Sequence, residues 1–133
     1  MAGRDEFLSH LLELLRPLGR VAARKMFGGY GLYFDGVFFG IVLDNTFYLK
    51  ADDRNRGDLE RAGSEIFSYS RKGKRATLNF YRAPDDAMDA PQLMLPWAKG
   101  AVAAALRART AKPQRMARGR RQLSAAGRRS RRR

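Results

Sequence analysis

Four cations fall within five residues at Arg71, Lys72, Lys74 and Arg75, interrupted only by Gly73. Such a cluster suits a phosphate backbone: each phosphate neutralised releases counterions, which gives affinity and position but no sequence readout. A larger set follows. Between residues 112 and 133 stand Lys112, Arg115, Arg118, Arg120, Arg121, Arg128, Arg129, Arg131, Arg132 and Arg133, with no acid among them. Groups suited to covalent or acid–base work are scarce by comparison. There is no cysteine, which excludes thiolate metal sites and cysteine nucleophiles. The single histidine, His10, lies off the apolar stripe of its predicted helix and reads as a surface residue. No G-x-S-x-G elbow is present, and Gly73-Lys74 lacks the hydroxyl residue and upstream glycine of a phosphate loop. Asp52-Asp53 and Asp85-Asp86-Asp89 stand where helices should begin, so they read as caps and not as magnesium ligands. Tyr30, Tyr33, Tyr48, Tyr69 and Tyr81 fit alternation along strands. The inventory predicts no catalytic residue, no metal, no cofactor and no small-molecule substrate.

The run KMFGGYGLYFDGVFFG, residues 25–40, poses a separate question, because glycines after a basic residue can cradle a phosphate. The spacing fails as a dinucleotide fingerprint: Phe34 stands where the last glycine should be, and no helix follows. Met26, Phe27, Gly28, Gly29, Gly31, Gly36 and Gly40 therefore read as a structural motif. Gly28-Gly29 is expected to bend one long first strand, and Asp35-Gly36 to close a two-residue hairpin. With that turn, Phe34 faces Val37, Tyr33 faces Phe38, Leu32 faces Phe39 and Tyr30 faces Ile41. Gly31 then faces Gly40, a notch that a large ring or another backbone could approach.

These residues need elements to hold them. Arg4 to Leu15 reads as a helix with Phe7, Leu11, Leu14, Leu15 and Leu18 on one face, ended by Pro17 and Gly19. Residues 22–50 read as three strands, the last entered through Asp44-Asn45. Asp52-Asp53 start a short helix that Gly63 stops. Ile66 to Arg71 and Ala76 to Arg82 form a hairpin around Lys72-Gly73-Lys74. A last helix runs from near Pro91 to about Thr110. Leu95, Val102 and Leu106 share one side of it, Met94, Trp97, Ala98, Ala101 and Ala105 lie beside them, and Lys99 and Arg107 point away. Trp97 reads as a core anchor, and Pro96 either begins the regular helix or kinks it. The fold class is α+β, with an antiparallel sheet in α-β(3)-α-β(2)-α order.

The 133 residues suffice for one domain with a core. The formal charge of +14 divides unevenly: residues 1–111 hold 17 of the 27 basic residues and all 13 acids, a net of +4. The expected organisation is a folded domain over 1–111 and a disordered Arg-rich segment over 112–133, too poor in large apolar groups to offset its ordering entropy. Acids near the N-terminus and the lack of a long apolar run predict a soluble cytoplasmic protein without a membrane partner.

Arg24-Lys25-Met26-Phe27-Gly28-Gly29-Tyr30-Gly31-Leu32-Tyr33, then Asp35-Gly36, Phe47-Tyr48-Leu49-Lys50, Phe80-Tyr81 with Pro84, and Leu93 to Trp97-Ala98 resemble the N-terminal domain of the TfoX/Sxy competence regulators. The resemblance covers about residues 4–110 and implies a secretion-chaperone-like α+β fold. It also implies a bacterial, non-enzymatic role: the family's named members regulate transcription of DNA-uptake genes alongside a cyclic-AMP-dependent activator. Those regulators carry a second helical domain where this chain has an arginine-rich segment, so a competence role does not simply carry over.

Three partner classes follow. Nucleic acid is expected on the basic segment and on the 71–75 tip. A protein partner or a second copy is expected if the three helices leave one apolar sheet face open. Tyr30, Leu32, Phe34, Val37, Phe39 and Ile41 are expected on one face, with Tyr33, Phe38, Val42, Phe47 and Leu49 on the other. Association with RNA or the ribosome, with strand aromatics stacking on bases, is the third.

Overall fold

The computed structural model describes residues 2–26 and 28–116. Helix α1 (Ala2–Leu14) and a 3-10 turn at Arg16–Leu18 lead into β1 (Val21–Met26), β2 (Gly29–Phe34), β3 (Val37–Leu43) and β4 (Thr46–Lys50). Then come α2 (Arg56–Arg61), β5 (Ile66–Arg71), β6 (Lys74–Arg82), a second 3-10 turn at Asp85–Met88, and α3 (Pro91–Met116). The strands form one antiparallel sheet in the order β1-β2-β3-β4-β6-β5. The α+β class and the antiparallel sheet are as the sequence predicts.

The strand count is not. Gly28-Gly29 does not bend a long strand; it separates two. Met26 pairs with Gly29, and Gly28 takes φ 78°, so the chain reverses into a β1–β2 hairpin. The order is therefore α-β(4)-α-β(2)-α. Gly29 is required at that point by a close approach, since a Cβ there would lie 2.0 Å from the Val42 carbonyl oxygen. The turns at Asp35-Gly36 and Asp44-Asn45 have both central residues at positive φ, as expected of two-residue hairpins. Lys72-Gly73 does too, so that loop is one residue shorter than expected and Lys74 already belongs to β6.

A bulge in β3 overturns the expected Gly31–Gly40 notch. Phe34 faces Val37 and Tyr33 faces Phe38, but then Leu32 faces Gly40, Gly31 faces Ile41 and Tyr30 faces Val42. The extra residue reverses the alternation beyond it. Val42 turns toward the helices to join Phe39, Phe47 and Leu49, while Ile41 turns away. Both expected faces are thereby corrected. Each glycine is instead filled by a ring on its own side. The Phe47 ring lies 2.6 Å from where a Gly40 Cβ would sit, and Met26 and Phe38 close over Gly31 at 2.6 and 3.0 Å.

The main core lies between the sheet and the helices. Leu11, Leu14 and Leu15 of α1, Leu59 of α2 and Met94, Ala98, Ala101, Val102 and Ala105 of α3 meet Leu32, Val37, Phe39, Val42, Phe47 and Leu49. The alanines let α3 lie close against β3 and β4, and Trp97 packs half-buried at the margin. Leu106 does not share this side; it is 45% exposed, because the alanine ridge turns it outward. Nor does Arg107 point away. Its guanidinium makes a two-pronged pair with Asp52, with Nη2 donating to Oδ1 at 2.9 Å. Asp52 also accepts from the Arg54 and Asn55 backbone N–H groups, so it closes the turn before α2 instead of capping the helix directly. The guanidinium contact first, then these N–H groups, hold the Asp52 carboxyl down to about 2. Asp85 and Asp86 lie inside the first turn of their 3-10 segment and do not cap it. Pro96 falls within the second turn of α3, where it withholds one N–H from the helix ladder.

Candidate nucleic-acid interface

The sheet's other face carries a second cluster built only from strand residues. Ile41, Phe67 and Phe80 are buried there, with Phe38, Leu43, Tyr48, Tyr69 and Leu78 packed around them. No helix residue joins this cluster among the described residues. The rings touch in two strings, Tyr33–Phe38–Phe80 and Tyr48–Phe67–Tyr69. Tyr33 stacks on Phe38 with centroids 5.2 Å apart, Phe38 meets Phe80 at 5.5 Å, and Phe67 touches Tyr48 at 4.9 Å and Tyr69 at 6.1 Å. Strand alternation explains why the tyrosines are here, as the sequence predicts. It does not make them interior, since Tyr33, Tyr48 and Tyr69 each keep part of their surface open.

Cations are laid over these rings. The Arg24 guanidinium sits 5.3 Å from the Tyr33 centroid, and the Lys50 ammonium sits 5.1 Å from the Phe80 centroid. Arg24 faces Gly31 across the β1–β2 ladder, and its guanidinium leans to the ring of Tyr33, the partner of Ala22. None of the six strands contains an Asp or Glu, a feature that emerges from the sequence only once the strands are delimited.

Beside Tyr33 the surface dips into a cleft of about 450 Å³, lined by Arg20, Ala22, Arg24, Tyr33, Phe34, Asp35 and Gly36. Ala22 and Arg24 alternate along β1 and share the face of the Tyr33 ring, and Arg20, just before the strand, lines the same cleft. Sequence reasoning missed Arg20 and Arg24 as a pair, since two arginines four residues apart signal nothing until a strand is recognised.

The 71–75 cluster lies at the tip of the β5–β6 hairpin, as expected. Arg71 pairs with Lys74 and Ser70 with Arg75, with Lys72 in the turn itself. All four cations are exposed, and none forms an ion pair among the described residues. Tip and cleft stand at opposite edges of the sheet but toward the same end. Past the Lys50–Phe80 pair, β6 runs to its tip in the direction that β3 runs back to Val37. Phe27 and the arginines at 118, 120, 121, 128, 129, 131, 132 and 133 lie outside the described residues.

His10 is exposed on α1, with its Nε2 3.3 Å from the Met88 carbonyl oxygen. It borders a smaller cleft of about 290 Å³ whose charged members, Arg82 and Asp85, pair with each other at 3.3 Å. No helix among the described residues is long and apolar enough to cross a membrane.

Comparison with known proteins places the chain in a family. A family model described as the TfoX N-terminal domain matches residues 13–105. The DNA transformation protein TfoX1 of Aliivibrio fischeri (strain ATCC 700601 / ES114) is 33% identical over 78 residues, covering 56% of this chain and 37% of that protein. Protein Sxy of Escherichia coli (strain K12) is 32% identical over 83 residues, covering 62% of this chain and 39% of that protein. The chain thus spans well under half the length of these relatives. Through residues 13–105, which take in all six strands and most of α3, it belongs to the TfoX N-terminal domain family.

Proposed function

We propose that this chain is a non-catalytic, transcription-related regulator that associates with nucleic acid through phosphate contacts. The observation that carries the reading is the charge of the sheet. Its strands hold no acid, and at the β5–β6 tip Arg71, Lys72, Lys74 and Arg75 project four cations that no carboxylate neutralises among the described residues. The ten cations of residues 112–133 add a second basic element on the same chain. Both suit backbone contacts, which orient a protein on nucleic acid without selecting a sequence. That one relative is called a DNA transformation protein supports the same direction.

The test is a fluorescence-anisotropy titration of labelled duplex DNA and structured RNA at about 50 and 200 mM salt. It compares the full chain, a chain ending at Met116, and a tip variant with Arg71, Lys72, Lys74 and Arg75 all changed to Ala. Affinity should fall steeply with salt, and the tip variant should flatten the log–log slope by roughly 0.9 for each phosphate it no longer neutralises. Binding carried wholly by residues beyond 116 would remove the folded domain from the nucleic acid and leave it a protein-interaction role.

A further inference from the structure

We propose that the cleft at the β1–β2 edge seats one unpaired nucleotide of a single-stranded nucleic acid, whose chain then crosses the aromatic face toward the β5–β6 tip. This rests on the nucleic-acid reading and goes beyond it by naming the form of the ligand and the residues that would hold its base. The cleft combines what a nucleotide needs. Its volume of about 450 Å³ is in the range of small-molecule sites. The Phe38–Tyr33–Arg24 column, with spacings of 5.2 and 5.3 Å, ends in a guanidinium plane on which a base can stack. Arg20, just before β1, lines the same cleft and offers a fork to the adjoining phosphate. Among the described residues neither arginine is held in an ion pair. Asp35, at the rim, can accept from a base amine or imide.

Charge selects this occupant over the alternatives. A second copy would bring the same acid-free strands and the same cations against this face, with Asp35 as the one carboxylate lining the cleft. The chain's own residues 112–133 hold ten cations and no acid, so they do not complement it either. A duplex presents its bases edge-on within the stack and cannot offer one to the Tyr33 column. A single strand has exposed base faces and a negative charge per nucleotide, which matches rings interleaved with cations. Cleft and tip lie five inter-strand steps apart, about 24 Å, so a strand of several nucleotides could touch both.

The experiment titrates the full chain against labelled oligothymidine and against a duplex of equal length. It compares wild type with Arg24→Lys, Arg20→Ala and Tyr33→Leu, each checked for an unchanged thermal melt. Arg24→Lys keeps the charge and removes the stacking plane, so it tests the idea even if Tyr33→Leu unfolds. Each cleft variant should weaken single-strand binding about tenfold, with duplex binding changed less than about twofold. Equal losses on strand and duplex would overturn the proposal. So would displacement of the strand by free thymidine monophosphate at matching concentration, which would make the ligand a mononucleotide. So would a salt-stable dimer in sedimentation that the cleft variants dissociate, which would make the occupant a second copy. Duplex binding that persists without any single-strand sensitivity to the cleft refutes this inference alone; absence of binding to either probe refutes the underlying reading as well.

Discussion

Replacing Asp52 with Asn should cost stability in a manner that depends on pH. Asp52 joins three parts of the chain: it follows β4, closes the turn into α2 and pairs with Arg107 on α3, fifty-five residues away. Asn keeps an oxygen for the Arg54 and Asn55 N–H groups but loses the charge that Arg107 grips. The carboxyl's depression from 3.8 to about 2 is equivalent to roughly 2 kcal/mol in favour of the ionised folded state. Its side chain is 25% exposed, so solvent screening should bring the observed loss to about 1–2 kcal/mol. Because the folded value lies below the unfolded one, this contribution is complete above 3.8 and disappears as pH falls toward 2. Urea unfolding of both proteins at pH 7 and near pH 2.5, with equal m-values, measures it. The gap should be near its maximum at pH 7 and largely closed at the acid end. A gap of the same size at both pH values would refute the reasoning, since it would come from shape and not from charge.

Gly29→Ala should destabilise by at least about 2 kcal/mol, because its Cβ would meet the backbone oxygen of Val42, which cannot step aside. Gly28→Ala, with open space around it but φ 78°, should cost only about 1 kcal/mol; chemical denaturation of the two side by side checks the order. Gly31→Ala should be milder than Gly40→Ala, since the first meets the movable end of Met26 and the second a Phe47 ring fixed in the main core; thermal melts should rank them so. Tyr81→Phe should lose about 1 kcal/mol with the hydroxyl's 2.9 Å bond to Glu60. Burial, then Glu60, raises the Tyr81 pKa above its ordinary 10.0, so the advantage of wild type is full below pH 10 and should shrink as pH rises beyond it.

Elements with local signals were legible in the sequence. The Asp35-Gly36 and Asp44-Asn45 turns, the apolar stripe of α1 and the stop at Gly63 each rest on residues within a few positions of one another, and each is present in the structure. What local reading could not give was set by packing across the sheet. The β3 bulge brings Phe39 and Phe47 to the same helix side, where they meet edge to face at 6.4 Å, and nothing within three residues of Phe39 announces that partner. One misplaced residue then sent Ile41, Val42, Phe47 and Leu49 to the wrong faces. Gly28-Gly29 was ambiguous for another reason: a bulge and a tight reversal both use glycine at positive φ, and only the pairing of Met26 with Gly29 distinguishes them. Arg107 misled because its helical position faces solvent while its long side chain reaches sideways to Asp52.

The same distances also show why net charge is a poor guide to this domain. Residues 1–111 sum to only +4, which suggests a nearly balanced surface. Yet the ion pairs among the described residues are Arg16–Glu13, Arg56–Asp53, Arg61–Asp58, Arg82–Asp85 and Arg107–Asp52, all formed by residues in helices, turns or the last position of a strand. The five acids of these pairs act locally, on arginines of the helical layer and the sheet's ends. Charges are screened beyond about 8–10 Å at moderate salt, so a carboxylate on α2 does little for a guanidinium on β1 at the far edge of the sheet. Arg71, Lys72, Lys74 and Arg75 therefore present a positive field out of proportion to the sum, while Arg20 and Arg24 share their cleft with one carboxylate, Asp35. Arg24, over the Tyr33 ring, and Lys74, in alternation with Leu78 and Phe80, lie on the side of the strand-only ring cluster, where aromatic surface and positive charge meet.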